Sequence, residues 1–110
     1  MRVFVTGMGM VSAFGKSWEE IRAKFELGQN AVRYMPQWDR YGDLNTRLAA
    51  PIEDYECPSS WDRKQLRSLG IVSMYSVEAA GLALRDAGLM RGENLDAASL
   101  DPSVQEGRLG

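Results

Sequence analysis

Arg2-Val3-Phe4-Val5-Thr6 gathers β-branched and aromatic side chains into a short run that stops at Gly7. That pattern predicts a short strand, largely buried inside a sheet. Gly7 to Lys16 follows as a glycine-punctuated loop, and Ser17-Trp18-Glu19-Glu20 supplies a capping box that starts a helix. Trp18, Ile21 and Phe25 stand three and four residues apart, so they share one face and predict a buried stripe; Gly28 suits the left-handed residue that closes such a helix. From Gln29 to Pro58, prolines and aromatics replace any helical period, which predicts loops and edge strands. Thr46-Arg47-Leu48-Ala49-Ala50-Pro51-Ile52 is the best extended candidate there. A further short helix is expected to start with Ser59 or Ser60 as its N-cap and to carry Arg63, Lys64 and Arg67. Ile71 to Ala87, ending at Gly88, carries Val72, Tyr75, Ala79, Leu82 and Ala83 among small residues. It predicts a core helix roughly 25 Å long that lets a neighbour approach closely. Arg91 to Gly107 is polar and turn-rich, and Arg108-Leu109-Gly110 stands where another strand could begin.

The predicted elements do not balance. An interior strand is expected beside core-type helices, yet no second long apolar strand is available to pair with it. A buried strand without neighbours leaves backbone donors and acceptors unmatched, at about 1 to 3 kcal/mol for each. The pattern therefore predicts an α/β chain with an incomplete sheet.

Composition narrows the function classes. The chain is 45% hydrophobic and 25% charged, an ordinary globular balance without repeats or low-complexity tracts. A net charge of -2 disfavours a general nucleic-acid or anionic-membrane binder, so any basic site must be local. With one cysteine and no histidine, an internal disulfide and imidazole or multi-thiol metal sites are excluded. Neither a signal peptide nor a membrane span is apparent, and a reducing, cytoplasmic setting is the expectation.

Two motifs invite a chemical reading. Gly7-Met8-Gly9-Met10-Val11-Ser12 has the look of a dinucleotide loop, but Ser12 replaces the third glycine and the capped helix starts only near Ser17. A structural turn is the better reading. Arg63, Lys64 and Arg67 form an i, i+1, i+4 set: Arg63 and Arg67 share a helical face and Lys64 flanks it, which makes a small basic ridge. Taken alone, this is most simply a solvated surface with Asp62 nearby. Trp18, Ile21 and Phe25, like Met8, Met10 and Phe14, are most simply core packing.

The segment from Val5 to Gly15, Val5-Thr6-Gly7-Met8-Gly9-Met10-Val11-Ser12-Ala13-Phe14-Gly15, resembles the opening strand and loop of elongating β-ketoacyl-acyl-carrier-protein synthases, which have the thiolase-like fold. The resemblance continues through Leu27-Gly28, through Asp62-Arg63-Lys64-Gln65-Leu66-Arg67 and through the stretch from Ala79 to Leu89. Ala13 stands where proline is frequent, Gly70 stands where a polar helix-starting residue is usual, and Gln29 to Pro58 matches only loosely. The resemblance implies that residues 1–110 are the N-terminal segment of such a synthase, broken at the start of its second core strand. It implies a thiolase-like α/β arrangement with one core strand, a capping helix, a loop and edge-strand region and a long core helix.

Members of that family carry out a decarboxylative Claisen condensation. A cysteine thiolate holds the acyl group, and imidazoles assist decarboxylation and stabilise the oxyanion. This chain has no histidine, and Cys57 lies in Tyr55-Glu56-Cys57-Pro58, an acidic setting outside the family's Thr-Ala-Cys type of motif. No catalytic, cofactor-binding or metal-binding residue is therefore expected, and the chain alone should be inactive. The resemblance assigns Arg63, Lys64 and Arg67 to docking the acidic acyl carrier protein. It also implies a homodimeric parent, in which Tyr34, Trp38 and Tyr41 are candidates to face the partner. Two alternatives stay open: a non-catalytic, chain-length-factor-like or truncated paralogue that binds the carrier, and a stand-alone structural module completed by self-association.

Overall fold

The computed structural model describes residues 1–92 and 99–107. The chain forms two compact units, one from Met1–Val11 with the described residues from Glu56 onward, the other Ser12–Tyr55.

In the second unit the predicted first helix forms as α1, Trp18–Glu26. Ser17 caps it, its hydroxyl accepting from the Glu20 amide at 3.2 Å, and Glu19 and Glu20 place negative charge against the helix N-terminus. Gly28 ends it at φ 66°, with the Gln29 amide donating to the Lys24 carbonyl at 3.0 Å. The apolar stripe is corrected by the structure, since Ile21 is 1% exposed but Trp18 and Phe25 remain 51% and 59% exposed. Periodicity put the three on one side, but only Ile21 meets enough of the unit to be covered. Phe25 packs edge-on against Phe14 with ring centroids 5.7 Å apart.

The irregular region holds a two-residue antiparallel pair, β1 (Arg33–Tyr34) with β2 (Leu48–Ala49), in the register Arg33↔Ala49 and Tyr34↔Leu48. β2 falls inside the expected extended stretch. Met35, 7% exposed, donates its amide to the Arg47 carbonyl and leads into a 3-10 turn over Pro36–Trp38.

The first unit holds α2 (Arg63–Arg67), α3 (Ile71–Asp86) and α4 (Pro102–Gln105). The N-cap of α2 is Asp62 rather than Ser59 or Ser60. Asp62 accepts from the Lys64 amide while Gln65 reaches back to the Asp62 amide, both at 3.2 Å, a reciprocal arrangement that a serine two or three residues earlier cannot make. α3 matches its predicted span and ends at Gly88, φ 72°. Its expected core character is only partly realised, because Ile71 and Val72 are 48% and 71% exposed while the buried residues are Glu78 and Gly81. The turn-rich stretch after Arg91 contains α4, capped by Asp101, and an antiparallel bridge between Met90 and Leu100. The expectation of a strand start at 108–110 lies outside the described residues.

The predicted strand at Arg2–Thr6 is the largest correction. No strand forms there, and Val3, Phe4 and Val5 are 83%, 74% and 84% exposed. Even so, the segment has the geometry of a strand laid on α3. A Cβ at Gly7 would come 2.6 Å from the Ala87 nitrogen, and one at Gly9 would come 2.5 Å from the Ala83 nitrogen. Two residues thus advance along four helix residues, about 6 Å of rise, or roughly 3 Å per residue, which is the rise of extended backbone. The segment runs antiparallel to α3, and its glycines allow the close approach that the small residues of the helix anticipated. What is missing is a partner: among the described residues no backbone ladder reaches Met1–Val11.

Candidate docking helix and the chain's relatives

α2 is short, so its placement depends on its ends. Trp61, immediately before the cap, is 6% exposed and fixes the entry of the helix into the first unit. Leu66 and Leu69 are half-buried, while Arg63, Lys64 and Arg67 are exposed. Successive helical positions turn by about 100°, so Arg63 and Arg67 lie about 40° apart, with Lys64 beside them and the apolar contacts elsewhere on the helix. A shallow groove of about 240 Å³ between α2 and α3, lined by Trp61, Gln65, Ser68, Leu69 and Val77, runs along its other side.

The ridge is electrostatically open. Asp62, the carboxylate nearest in sequence, is engaged in capping the Lys64 amide, and none of the three cations forms an ion pair among the described residues. Three exposed cations within five residues favour an anionic partner, with a reach of about 8 Å at physiological ionic strength.

Cys57 is a free, half-buried thiol with no histidine in the chain to pair with it. No group of histidine, cysteine or acidic side chains able to hold a metal is found among the described residues, and no helix there is long and apolar enough to cross a membrane. The Gly7–Ser12 loop is not a phosphate cradle. Gly7 and Gly9 are consumed by contact with the α3 backbone, and α1 begins six residues past Ser12, at Trp18.

Tyr34, Trp38 and Tyr41 do lie near one another in chain and fold. Tyr34 and Tyr41 are about half exposed, and Trp38 is half-buried. The cluster is tied internally: the Tyr34 hydroxyl donates to Asp39, the Arg47 guanidinium donates to the Tyr41 carbonyl at 3.1 Å, and Arg40 lies over the Tyr41 ring at 4.6 Å. Arg47 Nε also approaches Asp39 to 3.2 Å, close enough for charge attraction although the angle is wrong for a hydrogen bond. The hydrogen bond to the Asp39 carboxylate raises the Tyr34 pKa, with desolvation and the negative charge of Asp39 adding to it and Arg47 opposing. Sequence reasoning missed this network because it needs the 3-10 turn to bring Asp39 back beneath Tyr34.

No family model matches the chain. Among curated proteins it is similar to 3-oxoacyl-[acyl-carrier-protein] synthase 2 of Vibrio harveyi, 32% identical over 80% of this chain and 21% of that protein. It is also similar to the protein of the same name from Vibrio cholerae, 29% identical over 96% of this chain and 25% of that one. The chain thus spans about a fifth to a quarter of the length of the curated relatives it matches. Among solved structures, a β-ketoacyl synthase from Burkholderia phymatum superposes with a TM-score of 0.74 at 53% identity, over 84% of this chain and 22% of that one. Over most of its length, this chain is similar in sequence and in backbone to a segment of β-ketoacyl synthases, and it belongs with that family.

Proposed function

We propose that residues 1–110 are the N-terminal segment of a β-ketoacyl-acyl-carrier-protein synthase and that their own contribution to its work is to receive the acyl carrier protein on α2. The single observation that carries the docking reading is the capped helix with Arg63, Lys64 and Arg67 exposed and without counter-ions among the described residues. A carrier that presents an acidic helix would complete those charges, steering encounter more than setting affinity.

In the complete enzyme the reaction is a decarboxylative condensation in fatty-acid or polyketide synthesis. An acyl group passes from carrier thiol to enzyme thiolate, the malonyl carboxylate leaves as carbon dioxide, and the enolate so formed attacks the thioester and expels the thiolate. The present residues supply neither the nucleophile nor the imidazoles, so the 110-residue chain binds without catalysing. A cytoplasmic setting and a homodimeric parent fit the same reading. A non-catalytic, chain-length-factor-like role draws on the same feature, since α2 is independent of the chemistry.

The test is a titration with acyl carrier protein, followed by fluorescence anisotropy at low and high salt. Binding is expected to weaken as salt rises, and Arg63→Glu and Arg67→Glu are each expected to weaken it about 5- to 30-fold, the loss of one exposed charge pair plus a new repulsion. Arg63→Glu puts a carboxylate at a helix N-terminus, where it does not harm α2. Binding indifferent to both reversals and to salt removes the docking reading, and condensing activity in the isolated chain removes the division between docking and chemistry.

A further inference from the structure

We propose that the groove between α2 and α3 receives an apolar side chain of the same acidic carrier that meets the basic ridge, so that docking has an apolar anchor beside its charges. The inference rests on the docking reading of α2 and adds to it what the partner inserts.

Ridge and groove occupy successive sectors of one helix. At about 100° per residue, Arg63, Arg67 and Lys64 span roughly 100° of the α2 circumference, and Ser68, Gln65 and Leu69 take up a neighbouring sector of similar width. Lys64 and Ser68 stand four residues apart and are therefore surface neighbours, which makes the last cation of the ridge the lip of the groove. A partner drawn to the ridge is thus already beside the groove.

The groove suits a side chain rather than a free ligand. Its volume of about 240 Å³ lies below the range of roughly 300 to 1,000 Å³ usual for small-molecule sites. Trp61, Leu69 and Val77 form its apolar walls, and the exposed Gln65 and Ser68 form its polar rim. Trp61 is 6% exposed and its Nε1 has no hydrogen-bond partner, so no polar tie of its indole holds it in place and it serves the groove as an apolar wall. Leu69 and Val77 are half-buried, and each keeps apolar surface for a partner to cover. An apolar floor bordered by polar and charged groups is the anatomy of an interface core.

Charge selects the occupant. Three cations without ion pairs among the described residues favour a carboxylate-bearing surface. When an acidic helix lies against the ridge, a residue three or four positions from its carboxylates shares their face and is carried over the groove, where an apolar side chain gains burial. A second copy of this chain docking by the same face would set cation against cation.

Anisotropy titration of the 110-residue chain with acyl carrier protein at low and high salt tests the inference. Val77→Phe fills the groove, and Ser68→Trp closes its mouth from an exposed position. Each is expected to weaken binding about 5- to 10-fold, by the same factor at both salt concentrations, because apolar burial is not screened. The effect of Arg63→Glu is expected to fade at high salt. Ser76→Phe, on an exposed position of α3 outside the groove, is the control and should bind as the unmodified chain does. A benzophenone amino acid in place of Ser68 is expected to cross-link to the carrier. Should Val77→Phe lose the helical circular dichroism of the chain, Ser68→Trp and the cross-link carry the test. Salt-dependent binding that Arg63→Glu weakens, but that Val77→Phe and Ser68→Trp leave unchanged, overturns the groove inference and leaves the docking reading standing. Cross-linking to a second copy of the chain in place of the carrier overturns it as well.

Discussion

Tyr34 shows how one contact sets a measurable property. Its hydroxyl donates to Asp39, and because only the neutral phenol can donate, the bond and the neighbouring negative charge oppose ionisation. The folded value is raised above the ordinary 10.0, so the stabilisation is fully present below pH 10 and is lost as the pH rises through the higher folded value. Ultraviolet titration is expected to show one tyrosine ionising later than the rest, and Asp39→Asn should bring it back among them. Gly7 and Gly9 depend on space rather than charge. Neither has a positive φ, so their role is absence of a side chain. Gly7→Ala or Gly9→Ala drives a methyl into helix backbone, which cannot rotate away, and is expected to cost at least about 1 to 3 kcal/mol in urea unfolding of the first unit. Gly42→Ala, where a Cβ meets nothing within 4 Å, serves as the near-neutral control.

At the scale of elements, local chemistry decided what formed and neighbours decided what was buried. α1 and α3 were legible because caps and terminal glycines act within a few residues: Ser17, Gly28 and Gly88 all do what their positions imply. The start of α2 was misplaced because several hydroxyl and carboxylate residues compete before it, and only the folded geometry shows that Asp62 and Gln65 satisfy each other. Asp62→Ala is expected to remove about 0.5 to 2 kcal/mol of helix stability. Because that loss frays the turn bearing Arg63 and Lys64, it should also weaken carrier binding without touching a cation. Far-ultraviolet circular dichroism alongside the titration would separate the two effects. The basic ridge itself was readable from spacing, but its lack of ion pairs among the described residues was not, since that depends on tertiary placement of the carboxylates.

At the scale of the whole molecule, each of the two units covers little apolar surface among the described residues. Buried apolar side chains among the described residues are Ile21 and Met35 in one unit and Trp61 and Met90 in the other, and only Ile21 is fully buried. Such cores leave little margin over conformational entropy. The chain is therefore expected to melt over a broad range when followed by far-ultraviolet circular dichroism. A sharp, cooperative melt would contradict that expectation.

The sequence by itself determined the features that act over a few residues: the helix caps, the basic ridge, the absence of histidine, and the pattern that links the chain to β-ketoacyl synthases. Tertiary structure alone decided whether Arg2–Thr6 is a strand, why Gly7 and Gly9 must be glycine, and which apolar faces stay open. Propensity resides in the residue, whereas a strand exists only when a second backbone satisfies its donors and acceptors. Here α3 supplies a surface to lie on but no backbone to pair with.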